Sequence, residues 1–158
     1  MVDGSRFSNY ETYFKTLETF EKLIIQDTYS SVLKKMFSSM FFSKNFDKHK
    51  SRVIERAINI PENLSLPLRR NAIWYDSHCV EENLSNLRLP VLILHSTKLD
   101  KKMERSPILQ KDQIPYIDFI KSYNFKIRIE LFEKTGHYIT IEKPEIVNDI
   151  MSEWIYRL

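Results

Sequence analysis

The residues best suited to chemistry in this sequence are four histidines and one cysteine. The histidines are His49, His78, His95 and His137, and the cysteine is Cys79. A single cysteine cannot form an internal disulfide framework, and one thiol with four scattered imidazoles does not supply a closed structural zinc site. We therefore expect no metal site and a reducing, cytoplasmic setting.

The adjacent pair His78 and Cys79 raises the hypothesis of a thiol activated by a neighbouring base. Consecutive helical residues point about 100° apart, so neither side chain activates the other well. Packing within a helical region is the interpretation we favour for this pair.

Glycine is scarce, since Gly4 and Gly136 are the two glycines of the sequence. An average sequence contains about 7% glycine. A phosphate-binding loop, a dinucleotide fingerprint and the Gly-x-Ser-x-Gly turn that exposes a catalytic serine all need closely spaced glycines. None of these three motifs can be drawn on this sequence.

The composition indicates one small domain, because 158 residues with 42% hydrophobic content suffice for a single core. The formal charge of +3 is spread without a long block of like charge, so we expect no nucleic-acid partner. No apolar run is long enough to cross a membrane, and the first six residues lack a signal-peptide core. We expect no transmembrane segment.

The elements that must position the reactive residues fall into two halves, and the first half is predicted to be helical. From residue 9 to 60, apolar residues recur three and four apart between charged positions, as at Leu17 and Phe20. One helix should stop near Pro61, because proline cannot donate the hydrogen bond that continues a helix. Another helix is predicted over Leu66–Tyr75.

The second half predicts parallel α/β structure. Val91–His95 is a continuous apolar run, typical of a strand buried on both faces, whereas Lys126–Phe132 alternates like a half-exposed strand. Helices are predicted over Ile114–Tyr123 and from Pro144 onward. Two strands with their helices would leave apolar edges uncovered, so we expect the fold to be part of a larger sheet.

The segment Phe132–Asn148 carries the most specific pattern, with Gly136-His137 after a strand and Glu142-Lys143-Pro144-Glu145 opening the last helix. It resembles the end of α/β-hydrolase enzymes, and Leu89–His95 looks like the preceding core strand. The resemblance implies a chain that begins partway through an α/β-hydrolase fold. The implied parts are the end of a core strand with its turn (1–8), a helical lid (9–88), and the last two core strands with the C-terminal helices (89–158).

In that family a serine attacks an acyl carbon, a histidine takes its proton, and a carboxylate orients the histidine. The resemblance assigns the histidine role to His137, on a loop where Gly136 is expected to adopt backbone angles that other residues tolerate poorly. Asp3 and Asp100 compete for the acid role, and we favour Asp3 because Asp100 comes one residue late in a turn without the usual glycine. Asp112 is a third candidate that fits a helix cap better.

The family's nucleophile has no counterpart here, since its strand would precede Met1, and the oxyanion-hole donors would come from the same half. Ser96 ends a predicted strand but follows that position in chain order. We interpret Ser96 as a turn residue.

A stripe of soft apolar side chains lies on one predicted helical face between basic residues, and its members are Met36, Phe37, Met40 and Phe41. In a lid they would line the site of a hydrophobic substrate. The alternatives are a helix lying on a membrane surface and ordinary packing between lid helices.

The resemblance implies hydrolysis of a carboxylic ester or lactone with an apolar acyl part, by a Ser-His-Asp mechanism without metal or organic cofactor. This activity would need the missing nucleophile-bearing half. A separate N-terminal hydrolase chain, or self-association through the exposed strand edge, would complete the sheet. The alternative is a non-catalytic binding or interaction protein with the same fold.

Overall fold

A computed structural model describes residues 1–100, 102–123 and 126–157, which form mixed α/β structure. Residues 13–85 contain the helices of the first half, whose apolar faces enclose a cluster that includes Phe20, Leu33 and Ile73. The helices are α1 (Tyr13–Gln26), α2 (Tyr29–Ser38), a 3₁₀ turn (Lys44–Phe46), α3 (Asp47–Ile58), α4 (Glu62–His78) and α5 (Val80–Ser85). The prediction of consecutive helices is confirmed, although α4 begins before Leu66 and runs through Pro67.

The described residues of the second half form two small sheets and three helices. In chain order the elements are β1 (Val91–His95), β2 (Thr97–Leu99), β3 (Arg105–Pro107), α6 (Pro115–Lys121), β4 (Ile127–Leu131), α7 (Ile139–Glu142) and α8 (Pro144–Tyr156). β1 and β4 pair in parallel, with Val91 opposite Ile127 and His95 opposite Leu131. The parallel pairing predicted from the sequence is therefore confirmed, and the carboxyl ends of the two strands meet at one edge.

Residues 1–3 lie against the other side of β1. Val2 forms a parallel bridge with Leu94, the Asp3 amide donates to the Leu94 carbonyl at 2.6 Å, and the Leu94 amide donates to the Met1 carbonyl at 2.9 Å. The order across the sheet is residues 1–3, β1 and β4. Asp3 therefore leaves the sheet at the same edge as His95.

β1 is buried on both faces, as its continuous apolar sequence predicts. On one face Leu92 and Leu94 pack with Val147 of α8, and on the other Ile93 packs with Ile117 of α6. β4 was expected to alternate between buried and exposed positions, but Ile127–Glu130 are all half-buried and Leu131 is exposed. Ile127 and Ile129 pack beside α6, whereas Arg128 and Glu130 are partly covered by their own ion pair and by the pairing of Arg128 with Glu153 of α8.

The antiparallel pair of β2 and β3 has no counterpart among the elements predicted from the sequence. Three-residue strands are too short to show a period of two. In the described part of the chain, no helix combines the length and apolar composition needed to cross a membrane.

Candidate acid–base site

His137 and Asp3 are joined by a hydrogen bond, although they lie at opposite ends of the sequence. The Nδ1 atom of His137 is 2.7 Å from Oδ2 of Asp3. The Asp3 side chain is fully buried, whereas that of His137 is 24% exposed. Because a carboxylate only accepts, Nδ1 carries the proton, and in the neutral ring Nε2 then has a free lone pair.

The backbone of Asp3 adopts a strained conformation at this site. Its φ is 41°, in the left-handed region that few residues other than glycine occupy, although aspartate does so more readily than most. Such strain persists where the surroundings hold a residue firmly, and it is common at functional sites. The turn after Val2 directs the carboxylate back across the end of β1.

Four further contacts hold the Asp3 carboxylate. The amides of Ser96 and Thr97 donate to Oδ1 at 2.7 and 2.9 Å, and the Thr97 hydroxyl donates to Oδ2 at 2.5 Å. Nη1 of Arg105 lies 3.3 Å from Oδ2. Burial opposes ionisation of Asp3, but the contacts with His137, His95, Thr97 and Ser96 outweigh burial and hold its pKa well below the ordinary range.

Arg105 comes from β3 and braces the Asp3 carboxylate from the hairpin. Its Nη1 also donates to the Thr97 hydroxyl at 2.6 Å, and its Nη2 donates to the Ser5 hydroxyl at 3.1 Å. Neither Arg105 nor Thr97 was predicted from the sequence. Their roles depend on the pairing of β2 with β3, for which the sequence shows no periodic signal, so only the strand end at His95 could have pointed to Thr97.

His95 was predicted only as the end of a strand, yet it lies beside the same carboxylate. It is 1% exposed, and its Nδ1 is 3.1 Å from Oδ1 of Asp3. That approach is not aligned for a hydrogen bond, and neither ring nitrogen has a partner among the described residues. The ring stacks obliquely on Tyr116, with 5.5 Å between ring centroids.

The loop that carries His137 is fixed by backbone contacts. The His137 amide donates to the Met40 carbonyl at 2.9 Å, the Gly136 amide donates to Glu142 Oε2 at 3.0 Å, and the Ser96 hydroxyl donates to the Gly136 carbonyl at 2.8 Å. Ser96 is therefore buried and helps to hold the loop through this hydrogen bond. It lies directly after β1, where the sequence predicts a turn residue.

The prediction that Gly136 adopts backbone angles that other residues tolerate poorly is wrong. Its φ is not positive, so no unusual backbone angle requires glycine at this position. A Cβ added there would instead lie 2.5 Å from the Met40 carbonyl oxygen and would also collide with Glu142. Glycine is needed because the helical region approaches the loop so closely.

The stripe of Met36, Phe37, Met40 and Phe41 packs in the core of the helical region. Met36, Met40 and Phe41 are buried, and Phe37 is half-buried against the same cluster. Phe41 stacks on Tyr138, the residue after His137, with 4.9 Å between ring centroids. These contacts favour the packing alternative, because the three buried side chains present no open surface to a substrate.

The other acid candidates lie elsewhere. Asp100 is exposed, and its Oδ1 accepts from the amides of Lys102 and Glu104 within its own turn. Asp112 pairs with Lys98 at 2.7 Å and accepts from the Leu109 amide. Neither carboxylate contacts His137 in the described structure, so Asp3 is the one of the three candidates that is hydrogen-bonded to it.

The contacts of His78 are with aromatic rings and with its own helix. The His78 ring stacks on Trp74 with 5.1 Å between centroids and meets Tyr13 edge-on at 5.0 Å. Its Nδ1 lies 2.9 Å from the Trp74 carbonyl, while Cys79 ends α4. Packing is therefore the role that these contacts give to His78. Across residues 1–100, 102–123 and 126–157, no group of three or more histidine, cysteine or acidic side chains is arranged to hold a metal ion.

Comparisons with protein-family models, with curated proteins and with solved structures found no match to this chain. Its function is therefore inferred from the geometry of the site and from the sequence pattern around His137.

Proposed function

We propose that this chain supplies the acid–base half of an α/β-hydrolase-type triad that hydrolyses carboxylic esters or lactones with an apolar acyl part. His137 is the general base and then the general acid, and Asp3 is the residue that orients it. The observation that carries the proposal is the 2.7 Å contact between His137 Nδ1 and a buried, ionised Asp3. A histidine with no role beyond filling the surface would not need a buried carboxylate at its Nδ1.

The chemistry follows from the different roles of the two ring nitrogens of His137. Nδ1 donates to Asp3, so Nε2 accepts the proton of a serine hydroxyl as the serine oxygen bonds to the acyl carbon. The imidazolium formed in this step is stabilised by the Asp3 carboxylate. It then protonates the alcohol oxygen as the ester C–O bond breaks, and a water molecule repeats the cycle to release the acid.

The nucleophile in this proposal comes from a segment outside the described residues, because the one side-chain hydrogen bond of His137 in the described structure is the bond to Asp3. The sheet offers a place for such a segment. The Met1 carbonyl and the Asp3 amide form hydrogen bonds with β1. The amide and carbonyl of Val2, which lies between them, therefore point away from β1.

An apolar groove of about 330 Å³ runs beside this free edge. Leu89, Leu92, Trp154 and Ile155 are among the residues that line it. An added parallel strand with an apolar inner face would complete its backbone pairing at Val2 and fill the groove. In the α/β-hydrolase order, such a strand is the one that ends in the nucleophile.

The test begins with the nucleotide sequence directly upstream of the Met1 codon, read in all frames for a strand followed by Gly-x-Ser-x-Gly. The encoded segment is co-expressed with this chain, hydrolysis of p-nitrophenyl butyrate is measured, and a fluorophosphonate labels any activated serine. Both signals should require both chains. The variant His137→Ala should lose at least about 100-fold in activity, whereas the matched variant Asp100→Asn should keep it.

The second candidate function is a non-catalytic binding or interaction protein. The side chain of His137 is hydrogen-bonded to Asp3 and to no serine or other nucleophile among the described residues, which favours this candidate because the site then has a base without a nucleophile. Absence of a nucleophile-bearing segment, or hydrolysis that survives His137→Ala in a folded complex, would contradict the hydrolase proposal and leave this candidate.

A further inference from the structure

A cavity of about 290 Å³ lies beside the acid–base site, on the side of the sheet covered by α6. Its wall is built from the turn after Asp3, the start of β2 and the beginning of α6. The wall residues used below are His95, Tyr116, Phe119, Lys98, Arg6 and Ile114. His137 is not among the residues that line it.

His95 is the unusual member of this wall. It is 1% exposed, its Nδ1 has only the unaligned 3.1 Å contact with Asp3, and its Nε2 has no hydrogen-bond partner among the described residues. A buried polar group without a partner costs roughly 1–3 kcal/mol, and most such groups in folded proteins are satisfied by protein, water or ligand. Nε2 is therefore the ring atom whose partner the described residues do not provide.

The position of Asp3 determines which kind of partner fits. Nδ1 of His95 lies 3.1 Å from Oδ1 of Asp3, so the tautomer with the proton on Nδ1 is favoured by the carboxylate charge. Nε2 is then an acceptor. A partner of this nitrogen must bring a donor, such as a hydroxyl group.

The remaining wall favours a neutral and largely apolar ligand. Ile114, Tyr116 and Phe119 contribute apolar surface. Both basic side chains of the wall are already paired: Lys98 with Asp112 at 2.7 Å, and Arg6 with Glu81 at 2.5 Å. Neither of these two cations is left to attract an anion.

We infer that this cavity binds a small neutral alcohol or phenol, whose hydroxyl donates to His95 while its apolar body packs against the α6 side of the wall. A dry cavity of about 150 Å³ already holds benzene. The space beside His95 therefore accommodates a substituted ring. This site goes beyond the proposed hydrolase function and does not depend on it.

The inference is tested on the full ¹⁵N-labelled chain with two probes of similar shape, p-cresol and toluene, which differ by the hydroxyl group. Each is titrated while the ring nitrogens of His95 and of the exposed His49 are followed by long-range ¹H–¹⁵N NMR. p-Cresol should bind at least about fivefold more tightly than toluene. It should shift the His95 signals and leave those of His49 in place.

Variants separate the hydrogen bond from the cavity. His95→Phe keeps a ring but removes the acceptor, so it should abolish the preference for p-cresol, whereas the matched variant His49→Phe should retain it. Equal binding of the two probes without a shift at His95, binding of neither probe, or a preference that survives in folded His95→Phe would each overturn the inference. If His95→Phe does not fold, the titration of the wild-type chain decides alone.

Discussion

The main-chain N–H of His137 donates to the main-chain carbonyl of Met40 at 2.9 Å. Met40 follows α2, so the helical region fixes the loop that carries the candidate general base. Phe41 adds a second attachment by stacking on Tyr138. Helical packing and the orientation of the His137 ring are therefore coupled through two consecutive residues on each side.

Gly136→Ala should disturb this attachment. The added methyl group would lie 2.5 Å from the Met40 carbonyl oxygen, and backbone atoms cannot yield cheaply. We expect a loss of about 1–3 kcal/mol in the free energy of unfolding, measured with urea, and weaker protection of the His137 amide from hydrogen exchange.

Gly4→Ala is the matched control. A methyl group at Gly4 would meet the side chains of Tyr116 and Met1, which are flexible and can move aside. Its effect on stability should be clearly smaller than that of Gly136→Ala. Equal losses for the two variants would contradict the close approach of Met40 to Gly136.

Asp3→Asn should destabilise the fold near neutral pH by about 3 kcal/mol, because Arg105 would lose its buried counter-charge. The folded-state pKa of Asp3 lies below its ordinary value of 3.8, so ionised Asp3 contributes stability above that pH. This contribution is lost as the pH falls below 3.8 toward the folded-state pKa. Urea unfolding from pH 7 to pH 2 should therefore show the wild type and Asp3→Asn converging in acid.

The control for this pH series is Asp27→Asn. Contact with Lys35 also lowers the pKa of Asp27, but both side chains are at the surface. Salt screens an exposed pair and affects a buried one much less. Half-molar salt should suppress the effect of Asp27→Asn and leave that of Asp3→Asn. Loss of the Asp3 effect in salt would show that Asp3 is not held in a buried network.

Phe41→Ala should cost about 3–5 kcal/mol of unfolding free energy, since it empties a buried site and removes the stack on Tyr138. Its neighbour Phe42 is 38% exposed and provides the control. Phe42→Ala should lower the free energy of unfolding much less than Phe41→Ala. Thermal unfolding of both variants checks this. Similar costs would contradict the assignment of the stripe to packing.

Much of the architecture could be predicted because its signals are local. Val91–His95 has the continuous apolar sequence of a doubly covered strand, and Pro144 marks the first turn of α8. The parallel partnership of β1 with β4 follows from the helix between them. Burial determines which positions of a strand or helix are apolar, so these elements can be recognised from the sequence alone.

The surroundings of the site could be predicted only in part. The pairing of His137 with Asp3 was expected from the family resemblance, with Asp100 kept as a rival. The contributions of Arg105 and Thr97 depend on a hairpin of three-residue strands, and that of the Met40 carbonyl depends on backbone geometry. A main-chain carbonyl leaves no residue-specific mark in a sequence, so its role becomes visible only in three dimensions.

The free edge at Val2 and the groove beside it should make the chain self-associate when no partner segment is present. Ile155 lines that groove and is 58% exposed, whereas Ile146 on the same helix is 50% exposed and lies outside it. Ile155→Glu should reduce self-association in sedimentation velocity, and Ile146→Glu should not. A monomeric wild-type chain at high concentration would contradict this expectation.

We expect Asp3 to fix the His137 ring with its proton on Nδ1, which leaves Nε2 free to act as a base. Long-range ¹H–¹⁵N NMR of the full chain tests this directly by reporting which ring nitrogen carries the proton. We predict the Nδ1–H tautomer for neutral His137 in the wild type, and a mixture resembling exposed His49 in Asp3→Asn. A wild-type His137 that already shows the Nε2–H tautomer, or the same mixture as His49, would contradict the claim.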